Sequence, residues 1–162
     1  MSEQPIKIRQ ARLTDGDWLY KTVVAAQDEI PLRRADVESP QFLMRLALLC
    51  RDRQMWVAEI GGALAGFFAL DGTRIFWLVT AKEYRGRGVG RALVRRAVKV
   101  IKRRHGCGAG ALAWDKNTVV RKLFESEGFQ IDTYEQTRPR TDGRPNFVPY
   151  ILGELTLEQR QI

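Results

Sequence analysis

Apolar and polar residues alternate through Ile6-Lys7-Ile8-Arg9, the period of a strand with one buried face. The period then lengthens. Trp18, Leu19, Val23 and Ala26 fall on one side of a helix expected over residues 15–26. Thr14-Asp15-Gly16-Asp17 opens it, with Asp17 placed to reach back to the amide of Thr14 as in a capping box. Pro31 and Leu32-Arg33-Arg34 interrupt the pattern, and Ser39-Pro40 restarts it, serine as N-cap and proline as first helical residue. That second helix runs through Phe42, Leu43, Leu46 and Leu49.

Three strand-like runs follow. Residues 55–60 lead into Gly61-Gly62, which supplies the positive φ angles of a tight hairpin, and residues 63–70 lead into a second hairpin at Asp71-Gly72. Residues 74–80 are β-branched and aromatic, as a central strand is. Such a meander argues against a fully parallel, doubly wound sheet. A long helix is expected over 88–104, with Val89, Leu93, Ala97, Val100 and Ile101 as its apolar stripe. Gly106-Cys107-Gly108 ends it, residues 109–114 form a strand, and a helix over 118–127 closes at Gly128. Residues 129–137 and 147–155 read as two final strands around a polar loop, 138–146. The expected architecture is α+β: a mixed, mainly antiparallel sheet of about seven strands with helices on both faces. It forms one domain over residues 1–155, with a short tail, 156–162.

Composition narrows the chemistry. A chain of 162 residues with 44% hydrophobic and 28% charged residues suits one soluble domain. Its longest apolar stretches, such as Ala63 to Leu70, are too short to cross a bilayer. Met1 to Pro5 has neither a basic patch nor an apolar run, so a cytoplasmic protein without membrane association is expected. Cys50, Cys107 and His105 show no metal-binding spacing, and no Gly-x-Ser-x-Gly elbow occurs. The net charge of +8 points to a partner bearing phosphates or carboxylates.

The segment richest in chemistry is Tyr84-Arg85-Gly86-Arg87-Gly88-Val89-Gly90-Arg91, between a strand and the long helix. Alternate glycines let the backbone curl with its N–H groups inward and with no β-carbon in the way of an anion. The helix adds its unpaired first amides and positive dipole end, and Arg85, Arg87 and Arg91 add mobile charge. A dinucleotide Gly-x-Gly-x-x-Gly fails at Arg91, and no P-loop is present. The spacing fits Arg/Gln-x-x-Gly-x-Gly/Ala instead, as Arg85-x-x-Gly88-x-Gly90. A second block, Asn117-Thr118-Val119-Val120-Arg121-Lys122-Leu123-Phe124-Glu125-Ser126-Glu127-Gly128-Phe129, follows at a distance of one helix and one strand. In both blocks the chain resembles the GNAT superfamily of acyl-CoA-dependent N-acetyltransferases. The resemblance extends over nearly the whole chain.

That resemblance implies acetyl-CoA, or another short acyl-CoA, as cofactor. Arg85, Gly86, Arg87, Gly88, Val89, Gly90 and Arg91 would hold its diphosphate, with Asn117 also facing it. Main-chain groups of Leu78, Val79 and Thr80 would polarise the thioester carbonyl, although the family's Val-x-Pro is here Thr80-Ala81-Lys82. Two departures stand out: Phe124 replaces the tyrosine that protonates the thiolate in many members, and Leu112 replaces the glutamate base of some. Asp115 and Glu29 are the candidate proton acceptors, and Tyr84 a substitute acid. The acceptor would be the primary amine of a small molecule or peptide, with a large anionic partner such as an aminoacyl-tRNA as the alternative. Residues 138–145 could help to fix an anionic acceptor. A non-catalytic acyl-CoA sensor is the competing reading, a plain nucleic-acid-binding domain is disfavoured for want of a motif, and the assembly expected is a monomer or homodimer.

Overall fold

The computed structural model describes residues 4–30, 32, 34–114, 117–131 and 147–152. The alternating run at the start is β1 (Ile6–Gln10), the edge of a sheet that continues with β2 (Met55–Ile60), β3 (Ala63–Asp71), β4 (Arg74–Thr80), β5 (Gly110–Trp114), β6 (Phe129–Ile131) and β7 (Phe147–Leu152). The seven strands lie in the order β1-β2-β3-β4-β5-β7-β6. Every neighbouring pair is antiparallel except β4 and β5, which run parallel. The helices are α1 (Gly16–Ala25), α2 (Arg34–Val37), α3 (Gln41–Arg51), α4 (Val89–His105) and α5 (Thr118–Ser126).

Strand alternation sorts the core into two layers. Met55, Val57, Phe67, Ala69, Trp77 and Val79 pack with Leu19 and Val23 of α1 and Phe42 and Leu46 of α3. Trp56, Ala58, Phe68, Leu70, Ile75 and Leu78 point the other way, toward Leu93, Ala97 and Ile101 of α4 and Phe124 of α5. Helices thus cover both faces, and this is why β2, β3 and β4 read as nearly continuous apolar runs. Burying each large side chain contributes about 1.5–3 kcal/mol. At Gly66 the layers approach so closely that a β-carbon would lie 2.7 Å from the carbonyl oxygen of Val79 and 3.1 Å from Leu93 and Val89. Glycine therefore sets how tightly the start of α4 presses on β3 and β4.

Several expectations shift. The acid that reaches back at the first helix is Asp15, accepting from the N–H of Arg12 at 2.7 Å, rather than Asp17 reaching to Thr14. Residues Leu13–Asp15 form a separate 3₁₀ turn, so α1 starts one residue later than the pattern suggests. Pro40 caps α3, with Ser39 Oγ still accepting from Gln41 N–H, and Leu43 is 56% exposed while Phe42 and Leu46 are buried. The second hairpin turns at Gly72-Thr73, since Asp71 already pairs with Arg74. In α4, Val94 is fully buried while Val100 is only partly so. β6 is described over Phe129–Ile131 and β7 over Phe147–Leu152. The rest of the final strand pair, the 138–146 loop and the tail lie outside the described residues.

One polar cluster ties the start of the chain to the sheet. Arg9 donates to both carboxylate oxygens of Asp15, at 2.8 and 3.0 Å, and to Glu59 of β2 at 2.7 Å. The Arg9 guanidinium holds the Asp15 carboxyl below the usual carboxylate range, outweighing the opposing effect of burial. A carboxyl depressed in the folded state contributes stability that is whole above its unfolded value, about pH 4, and is lost as pH falls through the folded value. Asp15→Asn should therefore cost about 1.5–3 kcal/mol at neutral pH, the range for hydrogen bonds to charged groups. Urea unfolding of both proteins down to about pH 2 should show the gap closing in acid; a pH-independent gap would mean the carboxylate charge is not what stabilises this corner.

Candidate active site

The parallel pairing of β4 with β5 is short. Only Arg74 with Gly110 and Ile75 with Ala111 are in register, and beyond them the two strands part. A bulge lies at the point of departure: Leu70 pairs with Ile75 and Ala69 with Trp77, leaving Phe76 as an extra residue in β4. One extra residue reverses the direction in which later main-chain groups point. Ala81 N–H donates to Ala65 on the β3 side at 2.8 Å. Counting back by alternation, Val79 also faces β3, while Leu78 and Thr80 face the split. The Thr80 carbonyl agrees with this, accepting from Arg85 Nε at 3.3 Å.

The glycine loop closes the split at its wide end. Gly86 and Gly88 have φ of +79° and +82°, conformations that side chains with a β-carbon resist. The α4 N-terminus has Gly88 as N-cap and no side-chain cap. Among the described residues, the main-chain N–H groups from Gly86 to Arg91 have no protein acceptor. Six donors are therefore left unpartnered beside a positive helix end. Gly90 lies where a β-carbon would come within 3.0 Å of Leu123, so α5 abuts this first turn.

Loop and split share a cavity of ≈ 630 Å³. Of the residues singled out in the sequence, Leu78, Val79, Thr80, Arg85, Gly86, Gly88, Val89, Gly90, Arg91, Asn117 and Glu29 line it. Arg87 does not, its guanidinium lying over the ring of Tyr84 at 5.4 Å, and Tyr84 packs against the core. Asp115 lies outside the described residues. The structure adds Asp28, Val119, Val120 and Leu123 to the wall. Val119, 78% exposed on the first turn of α5, is the one of these with a sequence signal, an apolar residue beside Asn117 where a capped helix needs none. The bulge at Phe76 has no such signal.

Polar groups around the cavity are tied in pairs. Arg85 Nη2 donates to the Glu29 carboxylate at 2.9 and 3.3 Å. Asn117 Oδ1 accepts from Val120 N–H at 3.2 Å, capping α5, while its Nδ2 donates to the Glu29 carbonyl at 3.0 Å. Arg91 and Arg95 share Glu127, each at 3.0 Å. Glu29 also reaches a second, narrow crevice lined by Ile75, Phe76, Leu112 and Phe124. Leu112 and Phe124 are thus close together, and their wall is apolar. Among the described residues no group of three or more His, Cys, Asp or Glu could hold a metal, and no helix is long and apolar enough to cross a membrane.

Comparison with known proteins places this geometry. The chain is similar to PaiA N-acetyltransferase of Thermoplasma acidophilum, solved with coenzyme A, at 17% identity over 90% of this chain and 98% of that one, TM-score 0.66. It is similar to YncA of Salmonella typhimurium, solved with acetyl-CoA, at 16% identity over 93% and 94%, TM-score 0.72. The ribosomal-protein-S18-alanine N-acetyltransferase of Escherichia coli gives 21% identity over 91% and 93%, TM-score 0.65. No curated protein matches the sequence. The family model for the acetyltransferase (GNAT) domain matches residues 51–131, the run from the end of α3 through the split, the glycine loop and α5 to β6. The chain belongs to the GNAT acetyltransferase family.

Proposed function

We propose that the protein is an acyl-CoA-dependent N-acyltransferase, transferring an acetyl group from acetyl-CoA to a primary amine by direct attack on the thioester. One observation supports this above the others. Main-chain donors from Gly86 to Arg91 lack protein partners at the end of a cavity that continues along the open edge of β4. A diphosphate suits the first feature, and an arm with amide groups suits the second by adding to the strand edge. Gly86 to Arg91, with Arg85, would hold the diphosphate, while Asn117 and the Leu78–Thr80 edge would face the arm. The cofactor supplies an acyl thioester with a thiolate leaving group.

The remaining chemistry belongs to the protein. The Leu78 N–H, turned into the split by the bulge, is placed to donate to a developing oxyanion. An ammonium acceptor must shed two protons as its nitrogen forms the amide. One goes to a carboxylate or water, and the other ends on sulfur as the C–S bond breaks. Glu29, like its neighbour Asp28, is a described carboxylate residue lining this cavity, and Asp115 is the other candidate. Phe124 cannot protonate sulfur, so the thiolate would leave on its own low basicity, with catalysis resting on positioning and the oxyanion donor.

The apolar pair Leu112 and Phe124 favours one competing reading, an acyl-CoA sensor without turnover. Small-molecule, peptide and aminoacyl-tRNA amines are the acceptors to test. Calorimetric titration should show CoA binding to the wild type. Gly88→Arg should weaken it at least about tenfold. Open space surrounds the added β-carbon, so the variant should fold despite about 1–2 kcal/mol of left-handed strain; circular dichroism checks that, and an unchanged affinity would remove the loop from the binding site. Free-thiol release from acetyl-CoA should rise with at least one amine in the panel; tight binding with no release on any of them would favour the sensor. Asn117→Ala should cost about 1 kcal/mol through the lost cap and also weaken CoA binding, by calorimetry on folded protein.

A further inference from the structure

Arg85 is the cation of the Arg-x-x-Gly-x-Gly loop, yet its guanidinium is already occupied. Glu29 holds Nη2 through both carboxylate oxygens, at 2.9 and 3.3 Å, across a sequence separation of 56 residues. Both partners of this exposed pair are held at a second point. Glu29 is fixed at its backbone by Asn117 Nδ2, at 3.0 Å, and Arg85 is fixed at Nε by the Thr80 carbonyl, at 3.3 Å. Both residues line the cavity, and Glu29 also lines the crevice beside Leu112 and Phe124.

We propose that Glu29 is a built-in counter-ion competing with the cofactor's diphosphate for Arg85, so that cofactor binding frees this carboxylate from the guanidinium. The proposal rests on the acyl-CoA reading. A diphosphate held by the loop amides brings negative charge to the carboxylate's side of the guanidinium. Two anions cannot both keep the same Nη2 donor at full strength, and their mutual repulsion favours departure of the one on a rotatable stem. With its backbone tethered by Asn117, Glu29 can reorient only locally, and its half-exposed carboxylate turns to water when the guanidinium is taken. The same side chain would thus neutralise the loop before the cofactor arrives and be displaced from it afterwards.

The experiment uses three probes on the full chain: CoA, inorganic pyrophosphate and pantetheine, which lacks the diphosphate. Glu29→Gln should bind CoA and pyrophosphate about two- to fivefold more tightly than wild type, with pantetheine unchanged, since the lost competitor is an exposed ion pair of modest strength. Glu29→Asp, which keeps the charge, should stay closer to wild type. In an Arg85→Gln background the Glu29→Gln change should no longer alter CoA affinity. Unchanged or weaker CoA binding by Glu29→Gln overturns the proposal, as does equal tightening for pantetheine, which would indicate a general opening of the cavity. Tighter pyrophosphate binding by Glu29→Gln than by wild type, with no CoA binding by either protein, would support the counter-ion and sink the acyl-CoA reading instead.

Discussion

The structure depends on an interruption of main-chain pairing in the middle of a sheet. After Ile75 and Ala111, β4 and β5 no longer exchange hydrogen bonds. An open edge with apolar layers on both sides is costly unless something satisfies its polar groups, because unpaired buried N–H and C=O groups lose their solvation without compensation. Elsewhere the sheet leaves no such gap, with β5 paired along its whole length to β7. The split is therefore maintained against the ordinary tendency of strands to zip. The bulge at Phe76 helps to maintain it by bending β4 away and by turning Leu78 and Thr80 toward the opening.

An open edge binds nothing selectively unless its surroundings are rigid. Gly66 lets α4 sit directly on β3 and β4, and Leu123 of α5 presses on Gly90 at the first turn of α4. These close contacts fix the helix N-terminus relative to the Leu78–Thr80 edge. Fully buried Leu93, Ala97 and Ile101 then hold the rest of α4 in place. Such support allows the loop donors to be arranged in advance, so that their alignment is not lost entropy when an anion arrives. The positive φ values at Gly86 and Gly88 are stable for the same reason, being clamped between a packed strand and a packed helix.

Much of this was legible in the sequence because it follows from short-range chemistry. Periodicity located Arg74–Thr80 without error, since β-branched and aromatic residues in a run buried on both faces leave little choice. The glycine loop and the caps of α4 and α5 were legible because glycine, asparagine and helix ends obey local rules. The first-turn geometry near Asp15 was misassigned because a long-range partner decided it. Arg9 recruits Asp15 from a neighbouring strand, and a local capping rule cannot see that competition. The bulge at Phe76 and the Glu29–Arg85 contact were hidden for the same reason: both depend on how separate strands and loops are brought into register.

Net charge, too, means something different once the pairs are known. A total of +8 suggested a basic site, but the arginines lining the cavity are largely answered by carboxylates, Arg85 by Glu29 and Arg91 by Glu127. Among the described residues, Arg96, Lys99 and Arg103 carry no ion pair, and they lie along α4 beyond its first turn. This part of the charge is thus on an exposed helix face, where it can raise the encounter rate with any anion but cannot select one. Selectivity has to come from the mouth of the cavity, where the uncommitted donors are main-chain amides and the guanidinium of Arg85 is already held. An anion entering there exchanges partners with a carboxylate more than it neutralises bare charge. Because an exposed ion pair is worth at most about 1 kcal/mol, such an exchange would be easily reversed.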